Sequence, residues 1–245
     1  MKQVFRVFWG CTLAAALALT GCGRGGAPGS SGAGSMSGSG SGAMSGGTAG
    51  QEQAWRTGLG VVTEAAGSDR AGKITTAAAA VVLDADGKLA DVMLDELELS
   101  VSGGSTGSVT TPEDVRSKRT KGEDYPLAAA SSLGKGWAEQ VDWFADYLTG
   151  RTSDEVKKLK TDENGKPQDA DLVSGCTIAV DRYRDAVVRA CEQAKALGAA
   201  QGDRVTLSLI AADLPQDLAA TDDQDAHVQA DITLAALTVD SNGRV

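Results

Sequence analysis

Apolar and polar residues change rhythm several times along the chain, and each change marks an element. Gly58-Leu59-Gly60-Val61-Val62 is a short apolar run broken by glycine, and Glu64 to Gly72 follows as a polar stretch. Thr75 to Leu83, rich in Ala and Val, and Lys88 to Leu94 flank Asp84-Ala85-Asp86-Gly87, which predicts a hairpin closed by an Asp-Gly turn. Leu97, Leu99 and Val101 alternate with Glu98 and Ser100, the two-residue period of a half-buried strand, and Val205 to Ile210 alternates in the same way. Between these stretches the period lengthens. Trp137, Val141, Phe144 and Leu148 are spaced by four, three and four residues, one apolar helical stripe that ends near Gly150. Thr152-Ser-Asp-Glu155 reads as a capping box opening a brief helix through Leu159. Val180, Tyr183, Val187, Val188, Cys191 and Ala194 line one side of a second long helix, which Asp181 can cap and Gly198 can close. The pattern predicts an α+β fold: a twisted, mostly antiparallel sheet with a hairpin and two main amphipathic helices packed on it.

The remaining stretches read as connections. Ser102 to Thr111 is a Gly/Ser/Thr tract and Glu113 to Asp124 a charged run, both expected at the surface; Asp213 to Asp225 is an acidic loop containing Pro215. At the end, Thr233 to Val245 echoes Ala77 to Leu89, with Asp240-Ser-Asn-Gly-Arg244 in the place of Asp84-Ala-Asp-Gly-Lys88. Either the last strand closes the domain, or residues 230–245 begin a second repeat.

The first fifty residues follow none of these rhythms. Lys2 and Arg6 precede an apolar run, Val7 to Leu19, too short for a comfortable membrane span and suited to a signal peptide. Leu19-Thr20-Gly21-Cys22 resembles a bacterial lipobox, which implies cleavage after residue 21 and a lipid on Cys22. Residues 22–50 then form the anchor and a tether of Gly, Ser, Ala and Met, a composition that cannot bury enough apolar area to offset chain entropy. A flexible coil of that length spans about 30 Å root-mean-square. Twelve of the chain's 31 glycines fall in residues 22–50, leaving residues 51–245 of the 245 to build the core. The net charge is −10, and removal of Lys2 and Arg6 with the signal makes it −10 − 2 = −12. Such an acidic surface repels phosphate backbones and anionic headgroups, which excludes nucleic acid as a partner and leaves acyl chains to hold the membrane.

Chemistry concentrates in Asp171-Leu-Val-Ser-Gly-Cys-Thr177, which offers an acid, two hydroxyls and a glycine just ahead of a helix start, a setting that suits a phosphate ester. If Thr177 faces the N-terminus of that helix, the free N–H groups there stabilise the phosphate charge by about 0.3–1 kcal/mol. These residues resemble the Asp-x-x-(Ser/Thr)-Gly-Ala-Thr motif of the FMN-binding domain family, with Cys176 where that family usually has alanine. Thr120 to Gln140, continued by Tyr147 to Val156, resembles a block of flavinylated surface lipoproteins in the same family. The likeness, strands included, extends over most of residues 51–245.

The resemblance implies an FMN-binding domain-like fold, with the Asp84 to Lys88 hairpin at the edge of the central sheet. It implies FMN esterified through its phosphate to Thr177, with Asp171, Ser174, Gly175 and Cys176 around the attachment point and Ser131, Ser132, Leu133 and Gly134 approaching the flavin. Asp171 would orient or present Thr177. Attachment implies an FAD:protein FMN transferase acting outside the cytoplasm, and the loaded protein would carry electrons from a membrane donor to an external acceptor without itself turning over a substrate. Its place would be the extracytoplasmic face of the membrane, held by the lipid on Cys22. Two rivals predict no covalent flavin: a domain for ligand or partner recognition in which Cys176 marks a degenerate site, and an unrelated solute-binding lipoprotein. Other chemistries find little support. His227 is the only histidine and lies in a polar, acidic stretch. Cys176 and Cys191 are expected as two buried thiols too far apart for a disulfide, and no metal spacing is present.

Overall fold

In a computed structural model of the chain, residues 54–68, 71–103, 108–211 and 230–245 are described. The expected signal peptide, Cys22 and the Gly/Ser tether lie outside them, as do the Asp213 to Asp225 loop and His227.

The elements run in the order β1 Arg56–Ser68, β2 Ala71–Leu83, β3 Leu89–Gly103, β4 Val109–Thr110, α1 Lys118–Lys121, α2 Leu127–Ala130, α3 Trp137–Leu148, α4 Ser153–Lys157, α5 Ala170–Val173, α6 Asp181–Gln193, β5 Arg204–Ala211 and β6 Ile232–Val239. β1 to β4 form one sheet in sequence order, β5 and β6 a second, and every pairing is antiparallel. The α+β architecture is therefore the one the periodicity predicts. β1 is longer than its apolar run: Glu64 to Ser68 continue the ladder against β2 despite their polarity. Leu89 to Gly103 is likewise one strand rather than two. The hairpin expected at the sheet edge is interior instead, because β2 pairs with β1 on one side and β3 on the other.

Ala77 to Leu83 is buried throughout, without alternation. Both faces of β2 are covered, so neither side needs polar residues. Ala77, Ala79, Val81 and Leu83 join the core beneath α3 and α6, whereas Ala80 and Val82 meet Val205. On the same far side Leu97 and Leu99 of β3 meet Leu209, Ala211 and Ile232. The α3 stripe is as expected, with Trp137, Val141, Phe144 and Leu148 at most 2% exposed. α6 lies across β1 at Gly58 and Gly60, where an added Cβ would come within 2.0 Å of the Ala190 carbonyl oxygen and 2.1 Å of that of Ala186. The glycines that interrupt the first apolar run are the surface on which this helix rests. α6 ends at Gln193, five residues short of Gly198, because Lys195 leaves the helix to exchange backbone hydrogen bonds with Thr57 at 2.9 and 3.0 Å.

The charged run Glu113 to Asp124 is not wholly surface. Ser117 and Lys118 are buried, and Lys118 Nζ lies 2.5 Å from the fully buried carboxylate of Glu96, which Arg182 approaches at 3.5 Å. Burial works against the Lys118 charge, but Glu96 beside it more than offsets this and raises its pKa.

Candidate functional site

The motif folds as one helical turn followed by a loop. Asp169, not Asp171, caps α5: its Oδ1 accepts the N–H groups of Asp171 at 3.0 Å and Leu172 at 3.4 Å. Leu172 drops into the core at 1% exposure and fixes the turn. Its carbonyl accepts from Gly175 N and Cys176 N at 3.2 and 2.9 Å. Asp171 and Ser174 are exposed, and the Ser174 hydroxyl is spent locally on the Asp171 carbonyl at 2.7 Å. Cys176 points into the core, fully buried, and burial pushes its thiol up to about 11. Gly175 lies under the ring of Trp143, whose nearest atom would be 2.2 Å from an added Cβ.

Thr177 is half-buried. Both its N–H and its hydroxyl donate to Oε1 of Gln140 on α3, at 3.0 and 3.2 Å. The chain then runs through Ile178 and Ala179 to Val180, whose N–H donates to the Gly165 carbonyl at 2.8 Å before α6 begins. Thr177 is thus tied to α3, not to the N-terminus of α6 as the sequence suggests. At that terminus Oδ1 of Asp181 accepts the Arg182 N–H at 2.9 Å, so a carboxylate already supplies the negative charge.

A cleft of about 450 Å³ opens beside Thr177. Ser131 and Ser132, at the end of α2, stand on one wall, and Thr177, Ile178 and Ala179 on the other. Gln140 and Lys166 also line it, and Leu127 and Ala130 supply an apolar stretch. Ser131 and Ser132, 45 residues or more from Thr177 in sequence, therefore line the same cleft as Thr177. Leu133 and Gly134 do not line the cleft; they shape the turn that presents Ser131. Leu133 N–H donates to Ser131 Oγ at 3.2 Å, Gly134 N–H donates to the Ser131 carbonyl at 3.0 Å, and Gly134 takes a φ of 64°. Asp171, Ser174, Gly175 and Cys176 are likewise outside the lining and build the loop that carries Thr177.

Two polar lining residues, Gln140 and Lys166, are absent from the sequence-based candidates, as are the apolar Leu127, Ala130, Ile178 and Ala179. Gln140 is a polar position on the buried side of α3, next to Val141 and one turn from Trp137 and Phe144, and a fully buried glutamine there is the available signal. Lys166 closes Asp162-Glu-Asn-Gly-Lys166, a third copy of the turn seen at Asp84 and Asp240. In all three, the aspartate Oδ1 accepts from the residues two and four places on, at 2.8 to 3.0 Å, and the glycine φ is 74° to 78°. The carboxylates are thereby committed to backbone N–H groups, and this turn places Lys166 on the lining of the cleft.

A larger cavity, about 670 Å³, lies at the β1–β2 turn, lined by small residues such as Gly67, Ser68 and Ser102. Lys73 is its only charged lining residue among those described, and it is paired with Glu98 at 3.0 Å. The smaller cleft is the candidate site, since Thr177, Ser131, Ser132 and Lys166 all line it. Among the described residues no group of His, Cys, Asp and Glu is placed to hold a metal ion, and no helix is long and apolar enough to cross a membrane. Cys176 and Cys191 are both free and buried. Comparison with known proteins finds no matching family, no matching curated protein and no matching solved structure.

Proposed function

We propose that this chain is a lipid-anchored extracytoplasmic flavoprotein that carries FMN as a phosphoester on Thr177 and passes electrons between a membrane donor and an external acceptor. The observation that carries the reading is the convergence of Thr177 with Ser131, Ser132 and Lys166 around one open cleft. A threonine sealed in hydrocarbon would have defeated it; this one is half-buried and borders a space within the ~300–1,000 Å³ range of small-molecule sites. The residues fit the group. The Lys166 ammonium and the hydroxyls of Ser131 and Ser132 would meet the phosphate, which remains anionic once esterified, and the apolar stretch at Leu127, Ala130 and Ile178 would face the ring. Bound FMN would supply one- or two-electron chemistry, and the covalent link would keep it on an exported protein. Cys176 does not argue against the site, because its side chain fills the core on the far side of the loop, where alanine or cysteine serves.

The resemblance of residues 171–177 and 120–140 to flavinylated lipoproteins supports the same reading, as does the lipobox-like Cys22 followed by a long tether. The chain itself needs no substrate turnover: it binds, holds and presents a redox group. Export of the protein together with an FAD:protein FMN transferase, followed by intact-mass measurement, tests this. The expected result is an increment of FMN less one water, absent in Thr177→Val; no increment in either protein overturns it.

A further inference from the structure

Gln140 has no role in the reading so far beyond lining the cleft, yet its side chain is the most constrained at the site. It is fully buried on a helix face otherwise given to Trp137, Val141, Phe144 and Leu148. A buried carboxamide is unfavourable unless its hydrogen-bonding capacity is met. Here it is met in full. Nε2 donates to the Lys135 carbonyl and to Ser131 Oγ, both at 3.0 Å, and Oε1 accepts the Thr177 N–H and hydroxyl. The reversed amide would set NH₂ against the Thr177 N–H and oxygen against the Lys135 carbonyl, repulsive at both ends. The orientation is therefore fixed by its neighbours.

From this arrangement we infer that Gln140 is a positioning residue that aims the Thr177 oxygen for its modification, a proposal that rests on the FMN reading above. With the hydroxyl proton directed at Gln140 Oε1, the Thr177 Oγ1 lone pairs are left free on the side away from α3, and Thr177 borders the cleft. The second bond, from the Thr177 N–H, holds the backbone of the same residue, so the hydroxyl cannot turn away by movement of the loop. The group transfer served is the reaction of a flavin dinucleotide with this hydroxyl on the transferase. Thr177 Oγ1 forms a bond to the phosphorus of the FMN half while the pyrophosphate P–O bond breaks. AMP departs with that electron pair, and the hydroxyl proton passes to a base of the transferase or to water. No electrons are gained or lost. Ser131, joined to Thr177 through Gln140, keeps the two walls of the cleft in register.

The test uses the full-length protein in detergent, with FAD and the transferase, and follows the adduct by intact mass over time. Gln140→Met removes the acceptor at similar volume. The expected result for Met is a rate at saturating FAD lowered about tenfold, as for loss of one hydrogen bond in the transition state, with the KM for FAD and the final extent of modification unchanged. A merely structural role would lower the competent fraction instead of the rate. Modification of the Met variant at the wild-type rate overturns the proposal and leaves the FMN reading intact. Absence of adduct on the wild-type protein removes both. Should Gln140→Met fail to fold, hydrogen exchange on the unmodified wild-type protein decides: the Thr177 N–H should be protected, and exchange as fast as an open loop amide refutes the clamp.

Discussion

Gly175→Ala isolates the packing that holds the Thr177 loop. Gly175 does not occupy the left-handed region, so a methyl group there incurs no backbone strain and its whole effect is steric. The added Cβ would stand 2.2, 2.3 and 2.4 Å from three ring atoms of Trp143, whereas ordinary contact begins at 3.4 Å. The ring or the loop must yield by at least 3.4 − 2.2 = 1.2 Å. Trp143 is 42% exposed and can swing outward, giving up its contact with the loop and the Lys135 ammonium stacked 4.9 Å from its centroid. The cost expected for such overpacking is about 1–3 kcal/mol. Urea unfolding of the wild type, both single variants and Gly175→Ala/Trp143→Ala measures it as a shift of midpoint at constant slope. Without the indole, the same methyl group should cost less than about 0.5 kcal/mol, so the cycle should show a coupling of at least ~0.5 kcal/mol. A methyl group that costs nothing in the wild type, or equally in both backgrounds, would falsify the claim that Trp143 is why this loop needs glycine.

Gly60→Ala should be more damaging than Gly175→Ala, about 3 kcal/mol or more, because its Cβ would strike the Ala186 carbonyl and no flexible side chain can move aside; thermal melts rank the two. Lys118→Met leaves the buried Glu96 carboxylate only the longer contact to Arg182, at 3.5 Å, and should cost about 3 kcal/mol at neutral pH, much of it recovered in Glu96→Gln/Lys118→Met. Since the folded pKa of Lys118 is raised, the stability it lends should be complete below its ordinary value of 10.5 and fall only as pH rises through the raised one, a loss that alkaline denaturation series in the wild type should show and the double variant should lack. Cys176 and Cys191, each pushed up to about 11 by burial, should resist alkylation at pH 8 in the folded protein and react once it unfolds, as peptide mapping can establish.

The sequence pattern carries the helices well because each buries a single face, as the α3 stripe does, and the hairpin because its Asp-Gly turn at residues 84–88 separates two apolar runs. It carries β1 poorly, since Glu64 to Ser68 pair with β2 through their backbones while their side chains stay in solvent, and a strand that borrows its order from a neighbour leaves no apolar alternation. The end of α6 is hidden for a related reason: exchange with Thr57 stops the helix before the glycine that marks a stop. At the site, Thr177 with Ser131 and Ser132 is foreseeable from two separate stretches of resemblance, and the structure joins them. What joins them, Gln140, reads in sequence only as one polar residue in a helix. Lys166 looks like part of a charged, turn-rich segment until the Asp162 turn is seen to be the same as the two at Asp84 and Asp240. Asp171 shows the converse: prominent in the motif, it lies exposed on a turn that its neighbour Asp169 caps.

Tandem mass spectrometry of protein exported with the transferase measures directly whether FMN becomes attached and to which residue. In a tryptic digest Thr177 lies on the peptide Thr161 to Arg182, since the Lys166–Pro167 bond resists cleavage. The account predicts an FMN phosphoester on this peptide, localised to Thr177. An adduct localised to Ser174, or to Ser131 or Ser132 on another peptide, or a fully unmodified Thr161 to Arg182 peptide, would contradict it.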